Sequence, residues 1–306
     1  MDRVKRLIRY TCADRLQLYG KGVRIAVLDS GIAPHPDLKG RNILFRDFTK
    51  KARVGAYDDC GHGTHINGIL AGNGVISGGK YSGMAPDCEL VNAKILHADG
   101  EGDSTALLYA LEWVLRIHKE QRIHVLNLSL AVYGLEDERM LLEMSQMLEY
   151  VSEKGILVVT AAGNGGPAYG TISQIALSSR VLTVGCHDFG YKDKQGHSCE
   201  MHSGRGRHGW EIRKPDLVAP GTEIYSCAHR MTRVRGGGWG YTAKTGTSMS
   251  VPIVAGAAAL LMEQQPHMSA YMVKRKLQLS ATDLHENYAK QGYGMLNIEK
   301  LLTSKV

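Results

Sequence analysis

The sequence contains no CxxC pair: its six cysteines stand apart at positions 12, 60, 88, 186, 199 and 227. That spacing builds neither a zinc framework nor a disulfide scaffold, and it reads as free thiols. No continuous apolar stretch follows the basic residues of MDRVKRLIRYTCADRL, so the N-terminus is not a secretory signal. Free thiols and no signal predict a cytoplasmic protein in a reducing compartment. The longest apolar run, VPIVAGAAALLM at 251–262, is too short to cross a bilayer and reads as a buried helix, so no membrane partner is expected. Repeats, low-complexity tracts and linkers are missing too. The net charge of +7 comes from dispersed clusters such as RVKRLIR, RGRHGWEIRK, RMTRVR and KRK. No nucleic-acid motif accompanies them, which points to a solvated basic surface rather than to nucleic acid as partner.

What is present is enough for a large core: 306 residues, 43% of them hydrophobic. Apolar, β-branched runs of the kind found in buried parallel strands recur: VRIAVLDSG (23–31), LVNAKIL (90–96), IHVLNLSL, ILVVTAAG, RVLTVG and DLVAPG. Helical patterns lie between them. STALLYALEWVLRIHKEQ puts Leu107, Leu111, Val114 and Leu115 on one face, with Asp103 or Ser104 available as N-cap. A second helix is expected across EDERMLLEMSQMLEYVSEKG, ended by Gly155. The alternation predicts an α/β fold with a mostly parallel central sheet and helices on both faces.

In such sheets chemistry collects at the carboxyl ends of the strands. The first strand ends at Asp29, the run at 123–130 leads into Ser129, Leu130 and Ala131, and another leads into AAGNGG with Ala162, Gly163 and Asn164. TGTSMSVPIVAG, with Ser248, opens the small-residue helix, and HGTHINGIL occupies 62–70. Within that last stretch His62 is either a general base, one half of a metal pair with His65, or an ordinary residue at a helix start.

Asp29, His62, Asn164 and Ser248 together form the inventory for acyl transfer. A serine hydroxyl needs an adjacent base. Histidine suits that role at neutral pH, and a buried carboxylate fixes its tautomer. An Asn amide and a helix-start N–H can receive the oxyanion. Singly, each has a plainer reading: Asp29 as a cap or turn residue, Asn164 as a left-handed turn, Ser248 as an N-cap, His62 as structural.

The segments VLDSGI, GHGTHINGILAG, AAGNGG and GTSMSVPIVAG resemble the four signature segments of the subtilisin-like serine proteases, in the order Asp, His, Ser of that family. The resemblance runs from about Gly22 to about Leu302. AGNGVISGGKYSGMAP is similar to the intracellular and AprX-type bacterial branch. Residues 1–20 then count as an N-terminal extension and 21–306 as the catalytic domain. The resemblance implies a serine endopeptidase: Asp29 orients, His62 is the base, Ser248 the nucleophile, and Asn164 with the Ser248 N–H the oxyanion hole. A dedicated precursor-maturation protease or a macrocyclase would use the same site. No cofactor is implied for catalysis and no metal is assigned. HxxH without the Glu of HExxH is a poor zinc signal.

The resemblance also implies a peptide or protein substrate held as an added strand. Gly100, Glu101 and Gly102 would lie on one side and Ser129, Leu130 and Ala131 on the other, with Ala162 and Gly163 flooring the pocket for P1, the residue before the cleaved bond. Asp99, Glu101 and Asp103 suggest a preference for Lys or Arg near P2 or P4. Cys60 is expected beside the P2 site. Four departures from the family stand out. Ile175 and Ala176 fall where Pro-Gly is frequent, which would narrow the P1 pocket. Ser250 and Ile253 replace the usual Ala and His. RLIRY at 6–10 resembles the LIPY of short inhibitory N-termini, with Arg9 for Pro, although it stands closer to the aspartate than in that group. The AGNGVISGGKYSG stretch lies near a family calcium loop, yet offers only Asn73, Ser77, Ser82 and carbonyls as ligands.

Overall fold

The computed structural model describes residues 1–49, 55–207, 209, 212–230, 233, 234 and 238–304. Parts of the basic clusters RGRHGWEIRK and RMTRVR therefore lie outside the described residues. The β-branched runs become strands: β1 (Arg24–Asp29), β2 (Asn42–Asp47), β3 (Glu89–Lys94), β4 (Ile123–Leu128), β5 (Leu157–Ala161), β6 (Leu182–Cys186) and β7 (Leu217–Ala219). They form one sheet in the order β2-β3-β1-β4-β5-β6-β7, with every pairing parallel. Three further pieces, β8 (Ile224–Cys227), β9 (Arg233–Val234) and β10 (Gly238–Trp239), precede β11 (Tyr241–Lys244), which pairs antiparallel with β8.

Nine helices complete the described chain: α1 (Asp2–Leu7), α2 (Thr11–Leu16), α3 (His62–Ala71), α4 (Ser104–Gln121), α5 (Glu138–Glu153), α6 (Thr247–Gln264), α7 (Ala270–Ser280), α8 (Tyr288–Gln291) and α9 (Ile298–Thr303). The two-residue period of the strands divides the core. Ile25 and Val27 point to the side of α3 and α6, whereas Ala26 and Leu28 point to α4 and α5. Helices thus cover both faces, as a buried parallel sheet requires.

Local sequence explains most helix limits. Asp137 caps α5, accepting the Arg139 and Met140 N–H groups at 3.1 Å each, a contribution of about 1 kcal/mol. Asp103 occupies the N-cap position of α4 but makes no side-chain cap bond; its carboxylate stands 3.7 Å from His97 Nε2 instead. Helix α6 is buried along nearly its whole length, consistent with its run of Ala and Gly.

The first eighteen residues belong to the same core. Met1, Val4, Ile8, Tyr10, Ala13 and Leu18 join the cluster that contains α6 and α9. Tyr10 donates its hydroxyl to Met84 O at 2.7 Å, the Ile298 N–H reaches Ile8 O at 2.8 Å, and Arg3 pairs with Asp188 at 2.8 Å. Ile8 and Tyr10 are thus spent on packing, and none of these partners lies on the substrate edges named above.

Candidate active site

Asp29 is the last residue of β1 and is fully buried. Its carboxylate faces His62, the first residue of α3: Nδ1 lies 2.7 Å from Oδ1 and 2.9 Å from Oδ2. Oδ1 also accepts the Ser30 N–H at 2.7 Å. With Nδ1 donating to this carboxylate, Nε2 is left as the basic nitrogen. The cap or turn reading of Asp29 fails on that contact.

Two glycines allow the approach. A Cβ on Gly63 would fall 2.2 Å from Gly31 O, so helix and strand end could not meet with any larger residue. Gly31 itself bridges to Asp58, which brings the stretch before α3 against the end of β1. Asp58 then organises the helix start. One oxygen accepts the Ser30 hydroxyl at 2.9 Å and the Cys60 and Gly61 N–H groups at 3.1 and 2.7 Å. The other accepts the Thr64 N–H and hydroxyl at 2.8 and 2.6 Å. A negative charge at a helix N-terminus also meets the helix dipole favourably. Lys94, at the end of β3 and buried, adds a second tie. Its ammonium reaches Ser30 O, Leu96 O and Asp59 Oδ1 at 2.6–2.8 Å.

Sequence reasoning missed Asp58 and Lys94. Asp58 stands four residues ahead of the helix start, outside the N-cap position Gly61, so it carried no capping signal. Lys94 gave no signal, since a lysine at a strand end is ordinarily solvated.

Burial alone would depress the imidazole of His62. The Asp29 charge and hydrogen bond outweigh it, so the His62 pKa is raised above the ordinary value, with Lys244 opposing and Asp58 assisting. His65, one turn on, is fully buried. Its Nε2–H donates to Ile224 O at 2.9 Å and Thr242 O at 3.2 Å, pinning α3 to the β8–β11 hairpin. Burial, with Lys244 and His62 as nearby positive charges, lowers its pKa to about 3. His65 is a neutral packing residue, and the metal-pair reading of HxxH fails.

Ser248 is the second residue of α6, half-buried, and Gly246 is the N-cap, so Ser248 does not cap the helix. Its N–H is one of the helix-start donors outside the intrahelical ladder. Asn164 follows β5. Its side-chain oxygen accepts the Thr247 N–H and hydroxyl at 3.1 Å each, and its Nδ2 has no hydrogen-bond partner among the described residues. The left-handed turn there is made by Gly163 (φ 92°), not by Asn164. Helix α3 packs on α6, so the two helices that open near His62 and Ser248 are neighbours. Ser250 Oγ bonds to Ala219 O and Pro220 O at 3.0 and 3.1 Å, holding the start of α6 to β7. Ile253 is fully buried.

The groove edges also come together. Leu96 bridges to Gly102, making residues 96–102 a tight hairpin. A pocket of about 120 Å³ separates it from the opposite edge, lined by Gly100, Glu101, Gly102, Leu107, Leu130 and Ala131. Ser129 is buried and accepts from Asn127 Nδ2 at 3.0 Å. A Cβ on Gly100 would stand 3.7 Å from Cys60 Sγ, so this half-buried thiol faces the hairpin.

Residues 20–295 match the model of the Subtilase family. The chain belongs to the subtilase family of subtilisin-like serine proteases. It is similar to the serine protease AprX of Bacillus subtilis, 35% identical over 90% of this chain and 65% of that protein. It is also similar to subtilisin BL of Lederbergia lenta, 34% identical over 92% of this chain and 91% of the relative. Among solved structures, Sphericase superposes with a TM-score of 0.76 at 26% identity, covering 91% of this chain and 92% of that one. A cold-adapted subtilisin-like serine proteinase, 24% identical over 92% and 90% of the two chains, shares the fold with a TM-score of 0.70. The resemblance, the α/β fold and the single parallel sheet are thereby established for this subtilase.

The donor set of the loop at 71–83 does not suit calcium. Asn73 Oδ1 accepts the Val75 N–H, Ser77 Oγ donates to Gly74 O and accepts the Tyr81 N–H, and Ser82 Oγ accepts the Lys5 ammonium at 2.8 Å. An ammonium already stands where a cation would need oxygens. Nearby, the ligand atoms of His35, Asp37 and Cys227 gather within 4.8 Å. His35 accepts the Asp37 N–H and donates to Gly240 O, and Asp37 accepts from Ile76 N–H and the Tyr241 hydroxyl. Burial holds the Cys227 thiol protonated. The trio is a hydrogen-bonded core cluster rather than a metal centre.

Proposed function

We propose that this subtilase hydrolyses peptide bonds as a serine endopeptidase, with Ser248 as nucleophile, His62 as general base and Asp29 as its orienting carboxylate. The observation that carries this is the Asp29–His62 pair at 2.7 and 2.9 Å, which fixes the tautomer needed to take the Ser248 proton. The Ser248 alkoxide adds to the peptide carbonyl, and the oxyanion is received by Asn164 Nδ2 and the Ser248 N–H. His62 then gives its proton to the departing amine, and water releases the acyl group by the same route.

The substrate lies as an extended strand between the 100–102 hairpin and the 129–131 edge. Leu96, Leu107, Leu130 and Met144 give the pocket between them an apolar floor suited to a hydrophobic side chain, P4 by analogy with the family. Glu101 and Asp103 are exposed on its rim, which supports a preference for a basic residue beside that position. Asp99 is partly spent on the Glu101 N–H at 2.9 Å. The six free thiols support the cytoplasm as the compartment.

Intact mass after exposure to a fluorophosphonate tests this reading. A single adduct on the wild type, absent from Ser248→Ala, is expected. An unlabelled wild type would refute an activated serine.

A further inference from the structure

The phenol of Tyr133 stands where a substrate side chain would enter the P1 pocket. A methyl group built on Gly163 at its ideal position would fall 1.7 Å from Tyr133 Oη, 2.7 Å from Cζ, and 3.2 Å from the Ala131 Cβ. One built on Gly165 would meet Tyr133 Cε1 at 3.3 Å. The space between the Ala131 edge and the Gly163 floor is therefore filled by this ring rather than open.

The ring is held at both ends. Its hydroxyl accepts the Gly165 N–H at 3.1 Å, with the Asn164 N–H directed at the same oxygen. The segment that carries it is fixed through Val132, whose N–H donates to Ser173 Oγ and whose carbonyl accepts the Gln174 N–H, both at 3.0 Å. Gly134 turns the chain away immediately afterwards, with φ of 60°. Behind the floor, Ile172 and Ala176 are buried against Ala162, so the recess cannot deepen in that direction.

We propose that Tyr133 sets the P1 preference of this subtilase, admitting Gly, Ala or Ser and refusing large apolar or aromatic side chains. This rests on the endopeptidase reading above and names its substrate class. A side chain beyond the β-carbon must displace the phenol, which costs the Gly165 hydrogen bond and moves the segment that carries Asn164. A small P1 residue leaves the ring in place. Discrimination by a closed pocket of this kind is worth roughly ten- to two-hundred-fold per added group.

The test is a series of peptides identical except for Ala or Phe at P1, assayed with wild type, Tyr133→Ala and Tyr133→Phe. Tyr133 keeps 48% of its surface exposed, so truncation leaves the core intact, and thermal melting checks this. Wild type is expected to favour Ala by at least about tenfold in kcat/KM, Tyr133→Ala to lose most of that ratio by gaining on Phe, and Tyr133→Phe, which keeps the ring but loses the Gly165 hydrogen bond, to retain an intermediate ratio. A wild type that cleaves after Phe as well as after Ala overturns the proposal, as does a ratio unchanged in Tyr133→Ala. Dissociation constants for the same peptides on a Ser248→Ala background report on the pocket independently of turnover. A chain that neither cleaves nor labels at Ser248 but still prefers the Ala peptide would sink the endopeptidase reading and leave Tyr133 in its role.

Discussion

His62 and His65 lie on one helix, one turn apart, within the same four-residue motif, and their surroundings give them opposite chemistry. His62 stands at the rim, its side chain 22% exposed, beside a carboxylate that favours its charged form. His65 is enclosed, with nearby positive charges and two carbonyls to bond, and stays neutral down to about pH 3. The difference lies in what each helix position faces. The first turn of α3 meets the end of β1 and the polar framework of Asp58, whereas the next turn meets the β8–β11 hairpin. A motif therefore specifies a residue type, while the packing around it assigns the proton.

The contrast can be broken at either histidine. His62→Ala should cost on the order of a million-fold in turnover, the loss that subtilisin itself shows for a missing triad histidine. Active-site titration of the residual activity checks it, and a loss under a hundred-fold would remove His62 from the chemistry. Asn164→Ala comes next, at about a hundred- to a thousand-fold in kcat with KM little changed. A change confined to KM would make Asn164 a binding residue instead.

Acidity sharpens the comparison. Only neutral His62 can accept the Ser248 proton, so kcat/KM should fall about tenfold per pH unit below an inflection above the ordinary imidazole value. An inflection below that value would contradict the Asp29 pairing. Stability moves the other way for the two residues. His62, with its pKa raised by folding, stabilises the fold below the unfolded-state pKa and loses that contribution as pH rises through its folded value. His65, with its pKa lowered to about 3, stabilises above the unfolded-state pKa, and that contribution is lost as pH falls toward 3.

His65→Gln should have the smallest effect on catalysis, within about threefold per folded molecule, because its amide can still bond Ile224 O or Thr242 O. Between pH 6 and 4 its unfolding free energy should fall less steeply than that of the wild type, by up to about 1.4 kcal/mol per pH unit. Parallel slopes for the two proteins would mean that His65 is protonated in the fold.

Much of this was legible beforehand. The β-branched runs are continuous because a parallel sheet buried on both faces has no polar side to alternate with, so most strand positions and the fold class followed from those runs and their alternation with helical patterns, while β2 did not. Asp29, His62, Asn164 and Ser248 were readable because acyl transfer restricts those residue types and their places at strand ends and helix starts. Asp58, Lys94 and Tyr133 were not, since each acts through contacts made by residues distant in the chain. RLIRY shows a related ambiguity: a short apolar motif carries the same pattern whether it blocks a groove or fills a core.

By itself, then, the sequence determined the sheet and the two helical layers and nominated the reacting groups proposed above, because periodicity and covalent chemistry are local properties. Only the tertiary structure decided that His65 is enclosed and neutral, that Tyr133 lies against Gly163 and that Ser82 bonds the Lys5 ammonium. Those outcomes depend on burial, on hydrogen bonds already made and on distances of a few ångströms between segments two hundred or more residues apart, such as Tyr241 and Asp37. Such distances exist only once the chain has folded.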